Sequence, residues 1–205
     1  MVTRSPTVLD FIGGHPALDL ANTLGGARGA EPDEDYLGDY DDVVVWAARA
    51  HVIDGAVGER LAATARRRPD DADRALARTH ALRAAVVAVF GAVAEGDEPP
   101  PGALDDLLGF HAEAIERGRL APDGDAFEVT WETDDPERVI WPLALSAVDL
   151  LREGPLSRVK LCADCCWMFL DLSRNHSRRW CSMNHCGGRR KMQRYRARRR
   201  ATEGR

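Results

Sequence analysis

The chain has 205 residues, 44% of them hydrophobic and 30% charged, which is enough for one or two domains. No apolar run approaches the roughly 18 residues that a membrane-spanning helix needs, and Met1 to Asp10 shows no basic stretch leading into an apolar one. A cytoplasmic chain with no membrane partner is therefore expected. The formal net charge of −5 conceals a division. Pro155 to Arg205 holds fourteen Lys and Arg against three Asp and Glu, whereas the first 154 residues hold fourteen against thirty. An acidic body followed by a basic arm is a common layout for nucleic-acid binding, although an acidic body could equally fold back and mask the arm.

In chain order, the first signal is Asp10 to Leu24, DFIGGHPALDLANTL. Gly13 and Gly14 read as a turn, and Pro16 suits the first turn of a short helix with Leu18, Leu20, Ala21 and Leu24 on its apolar side. This opening resembles the start of the ABATE domain in Gly13, Gly14, Leu18, Asp19, Asn22 and Thr23. The resemblance implies a regulatory, stress-linked module, commonly followed by a zinc finger of the CGNR type. Gly25 to Asp35 reads as a loop. Asp41 to Val52 reads as a helix capped by Asp41 or Asp42, with Val44, Val45, Ala48 and Val52 at helical spacing and Trp46 against the next helix. A second amphipathic helix covers Val57 to Arg67.

Asp71 to Glu95 carries the longest helical pattern. Leu76, Thr79, Leu82, Val86, Val89, Phe90 and Val93 recur at three- and four-residue steps, which places this helix at the centre of the body. Gly96 and three prolines end it. Ala103 to Arg117 follows as a helix, with Leu104, Leu107, Leu108, His111 and Ile115 expected inside. From Leu120 to Thr133 the period changes to two around Asp123-Gly124, the pattern of a β-hairpin. Pro136 to Arg152 returns to helix, and Gly154-Pro155 breaks it. A domain boundary is placed there, between residues 1–154 and 155–205. The body's apolar patterns are complete by Arg152, so it is expected to fold without the remainder.

The remainder holds all five cysteines. Cys162 and Cys165 are separated by two residues, Cys181 and Cys186 by four, and the pairs by fifteen. This spacing reads as a four-cysteine zinc site. In a reducing compartment it is more often metal than disulfide. Cys166 reads as a packed thiol, and His176 and His185 as less favoured ligands. Some fifty residues with few large apolar side chains need metal to fold. Trp167, Phe169 and Trp180 read as their small core. Arg174, Arg178 and Arg179 are placed near the sulfurs to offset thiolate charge, with Asp171 paired to one of them.

The segment resembles the CGNR zinc finger family. The matching residues are Cys162, Cys165, Trp167, Phe169, Asp171, Ser173-Arg174-Asn175, Arg178 to Met183, Cys186-Gly187, Arg189 and Lys191. Gly188 stands where the family has Asn. The fold expected overall is mainly α: a helical N-terminal domain with a small hairpin, then a treble-clef-like four-cysteine finger ending in a basic helix.

That helix is expected to start after a Ser182 cap, with Cys186 in its first turns. It carries Arg189, Arg190, Lys191, Arg194, Arg196, Arg198, Arg199 and Arg200, eight cations in twelve residues. These are the candidate contacts to DNA, phosphates foremost, with Met192 and Tyr195 docking the helix on the finger. Arg189, beside the metal, is the candidate base reader. In the body, His15, Asp19, Asn22 and Arg83 could line a small-effector pocket or form a buried hydrogen-bond network, the latter favoured. No nucleophile–base pair, HExxH or phosphate-binding glycine loop appears, and a fully thiolate-ligated zinc leaves no position for water, so no enzymatic activity is expected. The reading is a zinc-dependent DNA-binding transcription regulator whose body senses an effector or forms a homodimer. The alternatives are an RNA-associated finger protein and a protein-interaction adaptor with a structural finger.

Overall fold

A computed structural model describes residues 1–203, with side chains described as far as residue 200. The chain is mainly α-helical. Among the described residues, seven helices run in the order α1 (Pro16–Ala21), α2 (Tyr40–Arg49), α3 (Gly55–Arg67), α4 (Pro69–Glu95), α5 (Pro101–Arg117), α6 (Ile140–Glu153) and α7 (Gly188–Glu203). Short strands fall between them: β1 (Val2–Thr3), β2 (Leu24–Gly25), β3 (Glu34–Asp35), β4 (Arg119–Asp123), β5 (Ala126–Thr130), β6 (Val159–Leu161) and β7 (Met168–Leu170).

α4 occupies the centre, in contact with α1, α2, α3, α5, α6 and β6. Of the stripe read from the sequence, Thr79, Leu82, Val86, Val89 and Phe90 are buried and Leu76 and Val93 partly so, and Ala75 joins the buried face. Gly96, in the left-handed conformation at φ 81°, ends it. The helix is long and apolar enough to cross a membrane by length and composition alone, although its apolar residues do not form one unbroken run. Here that apolar face lies in the core of the body.

The caps follow side-chain chemistry. His15 caps α1, its Nδ1 accepting from the Ala17 N–H at 3.3 Å. Burial lowers its pKa and so favours the neutral ring that can accept. α2 is capped by Asp39, two or three residues before the aspartates expected to do so. Its buried side includes Val43 and Val44, while Val45 is exposed.

Three readings change. The loop expected at Gly25 to Asp35 contains β2 and β3, which form a small sheet of order β1-β3-β2, with β1 parallel and β2 antiparallel to β3. Two-residue strands carry no periodicity, so nothing in the sequence marked them. α5 buries Leu107 and Ala114, but Leu108 and Ile115 face outward at 59% and 50% exposure. The adjoining β4–β5 hairpin also leaves Leu120 and Phe127 exposed. Trp131 turns back under α5 and donates to the Ala114 carbonyl at 2.9 Å.

The third change concerns the boundary at Gly154. Val159, Met168 and Leu170 join the same buried cluster as the helices of the body. β6 and β7 pair antiparallel, Lys160 opposite Phe169, and this hairpin packs on α4 and α1. The apolar core therefore continues across the point where acidity and helix end.

Candidate metal centre

β6 and β7 form the hairpin of the finger, and the turn between them presents Cys162 and Cys165. The turn is closed by the Cys162 N–H donating to the Trp167 carbonyl at 2.9 Å. Cys181 and Cys186 come from the entry to α7. There Ser182 caps a single π-helical turn, Met183–Gly187, its side chain accepting from the Asn184 N–H at 3.1 Å. The turn brings Cys186 inward, and α7 continues from it. Two ligands from a hairpin turn and two from a helix start make the treble-clef arrangement expected.

The sulfurs of Cys162, Cys165, Cys181 and Cys186 all lie within 4.8 Å of one another. A zinc–sulfur bond of about 2.3 Å implies tetrahedral edges of about 3.8 Å, and Cys165 and Cys181 already stand 3.6 Å apart. Cys162, Cys181 and Cys186 are buried beside Phe169, with Trp167 and Trp180 partly covering them. The donor set thus fits zinc in number, softness and spacing. Bound there, zinc would crosslink two turns that have little apolar core of their own. Hydrogen bonding to the Cys162 sulfur, with burial, pushes the Cys165 and Cys181 thiols up, so that metal must displace protons to enter.

Cys166 lies apart. Its thiol points to the Leu24 carbonyl at 3.5 Å, and burial pushes its pKa up to about 11. It is the packed thiol expected. His176 is exposed, and His185 meets Asp10 at 2.7 Å, so neither joins the sulfurs.

The arginines are arranged differently from expectation. Arg189 reaches a ligand sulfur, its guanidinium 3.5 Å from the Cys186 Sγ. It also grips Asp164 through Nε at 2.8 Å and Nη2 at 2.5 Å, and Arg190 binds the same carboxylate. This clamp ties the first turn of α7 to the zinc turn through Asp164. Arg178 lies over the Phe169 ring at 4.1 Å and donates to the carbonyls of Trp180 and Cys181. Arg179 lies over Trp180, and Arg174 is exposed. Asp171 is fully buried and pairs with Lys160 at 2.6 Å, not with an arginine side chain. Burial alone would push its carboxyl up, but Lys160 and the donors of Ser173 and Arg178 hold it well below the usual range.

Beyond Arg189, the cations of α7 at Arg190, Lys191, Arg194, Arg196, Arg198, Arg199 and Arg200 are all exposed. Met192 and Tyr195 are exposed too, at 50% and 58%, so they do not dock the helix. The Asp164 clamp does so instead.

The side chains of His15, Asp19, Asn22 and Arg83 are each hydrogen-bonded within the protein. Their polar groups are spent on separate partners. Asp19 accepts from the Gly13 N–H at 2.7 Å. Arg83 makes a two-pronged contact with Asp35 at 2.6 and 2.8 Å and donates to Thr23 at 3.0 Å. The Asn22 amide pairs with the main chain of Met168 in both directions, each bond 2.8 Å. These bonds tie the end of α1 to β7 and α4 to β3.

Asn22 is one of several ties between the body and the finger. The Leu170 N–H donates to the Gly13 carbonyl at 2.8 Å, the Cys166 N–H to Gly26 at 3.1 Å and the Trp167 indole to Leu24 at 2.8 Å. Arg28 donates to the Cys162 carbonyl at 3.1 Å. Gly14, at φ 72°, and Gly13, where a Cβ would stand 2.8 Å from the Asp19 backbone nitrogen, allow this approach. A cleft of about 500 Å³ lies along the same junction, lined by Asp10, Tyr36, Trp167, His185 and Arg189 and reaching three of the cysteines.

Among curated proteins, none matches the chain. Two family models match it. Residues 14–154 match the ABATE model, whose description reads "Putative stress-induced transcription regulator", and residues 158–199 match the CGNR zinc finger. The first match spans well over half the chain and contains the Gly13/Gly14–Asn22 junction almost whole, and the second contains all four clustered cysteines. The chain therefore belongs to the ABATE family and carries a CGNR zinc finger at its C-terminal end.

Proposed function

We propose that the protein is a zinc-dependent, DNA-binding transcription regulator. The observation that carries this reading is α7: eight Lys and Arg between Arg189 and Arg200, all exposed, on a helix whose first turn is clamped to the zinc turn through Arg189 and Asp164. Positive charge this dense on a fixed scaffold gains most when opposed by phosphates, because counterions are released from the nucleic acid. The acidic body serves as the regulatory part. An effector would enter the cleft at its junction with the finger, from which Arg189 can relay its presence to α7. The protein acts in the cytoplasm by binding and catalyses no reaction.

Binding of zinc-loaded protein to duplex DNA across a series of salt concentrations tests this. If about five or six cations meet phosphates, log affinity falls with log salt at a slope of roughly −5. Replacing Arg196 and Arg200 with Gln weakens binding to every sequence and flattens the slope by up to about two units. Preference for a folded RNA over duplex DNA would favour an RNA-associated role. No salt-dependent binding to either would leave the adaptor reading.

A further inference from the structure

Beside the first turns of α7 lies a groove of about 280 Å³, lined by Ala163, Arg179, Trp180, Arg190, Gln193 and Arg194. None of these residues is acidic. Arg179, from the finger loop, sits with its guanidinium carbon 5.6 Å from the centre of the Trp180 ring, and Arg194, from α7, sits at 6.0 Å from the same ring. Arg190 reaches Gln193 at 3.4 Å across the wall. The Asp164 carboxylate, on the same finger turn as Ala163, is bound to Arg189 and Arg190. Two guanidinium groups from different segments therefore share one indole, with no carboxylate between them.

We infer that this groove is a phosphate seat, taking one backbone phosphodiester of the nucleic acid between Arg179 and Arg194, with Trp180 as the platform that holds the two guanidiniums. The inference rests on the nucleic-acid reading above and adds a contact outside the basic helix. A guanidinium packed on an aromatic face has its N–H fork fixed in direction while its charge remains. Two such forks converging on one groove match the oxygens of a single phosphate. Long arginines along a bare helix must give up side-chain freedom to meet a phosphate, whereas these two are already placed. The indole is faced by guanidinium groups, so the groove offers N–H edges to an anion and not an open ring to a base.

The test uses full-length, zinc-loaded protein with Arg179→Gln, Arg194→Gln, the double variant, and Arg174→Gln as a control with the same charge change on the same loop. Zinc content is measured for each, since Arg179 and Trp180 adjoin Cys181. The expected result on duplex DNA is a several-fold loss of affinity for Arg179→Gln and Arg194→Gln, with little change for Arg174→Gln. The double variant should lower the salt slope by about one unit, because both side chains serve one phosphate. A drop of about two units would place them on separate phosphates and overturn the seat. Equal effects of Arg179→Gln and Arg174→Gln would overturn it too, while leaving DNA binding by α7 intact. If the wild-type protein binds no duplex, the functional reading fails, and the seat is then decided by inorganic pyrophosphate followed through tryptophan fluorescence. Saturable binding lost in the double variant supports the seat, and absent or unchanged binding refutes it.

Discussion

Arg83 and Asp35 show how a buried charge becomes structural. Both are about 95% buried, and Asp35 also accepts from the Leu37 N–H at 2.9 Å. Removing one partner of such a pair leaves an uncompensated charge in the interior, at a cost of about 3–5 kcal/mol. Arg83→Ala should therefore lower stability by that order in denaturant unfolding, with the midpoint shifting at nearly constant slope. Asp19 behaves in the opposite sense. Burial raises its pKa to about 6, against the opposing N–H groups of Gly13 and Ile12. The stability it contributes is fully present below its unfolded pKa, near 4, and is lost as pH rises through 6. Between pH 4 and 7 the loss should reach about 2–3 kcal/mol. Relative to Asp19→Asn, which cannot ionise, the wild-type protein should become progressively less stable over that window, read as the difference in melting temperature at each pH.

Among the elements, the finger is where sequence spoke most clearly. Two cysteine pairs at finger spacing can be read without tertiary knowledge, because a ligand must project from a tight turn and the turn is local. Cys181→Ser should lose zinc by elemental analysis, whereas Cys166→Ser, whose thiol meets the Leu24 carbonyl, should keep one zinc per chain. The helices of the body were equally legible where they are long and half-buried, as in α4. Legibility failed where an outcome depended on distant partners. Leu108 and Ile115 lie at core spacing, yet no element covers them. Arg189 lies beside the metal, yet Asp164 holds it. Met192 and Tyr195 form a stripe that nothing receives. Spacing identifies a face but does not supply its neighbour.

For the whole molecule, the chief consequence is cooperativity between body and finger. Val159, Met168 and Leu170 lie in the core of the body, and Asn22, Gly13 and Arg28 are hydrogen-bonded to the finger. Chelating the zinc should therefore lower the melting temperature of the helical signal of the body, not only that of the finger, when followed by circular dichroism. A chain cut after Gly154 should retain helix but melt earlier and less sharply, because it exposes the surfaces of α1 and α4 that β6 and β7 cover. Sequence placed the break at Gly154 from composition, and the family matches change over at the same place. What composition could not reveal is that the asparagine capping the end of the first helix would complete the edge of a strand 146 residues later.

The Asn22 amide meets Met168 only through main-chain atoms, as do the ties from Gly13, Gly26 and Arg28, whereas Leu24 accepts from the Trp167 indole. Those main-chain ties are blind to the side chains on the finger, so the seam depends on side-chain identity chiefly at Trp167 and at the buried Val159, Met168 and Leu170. It also means that the finger is not a portable cassette. Grafted onto a foreign carrier, residues 155–205 would bring their four thiolates but leave behind the segment that closes their open edge.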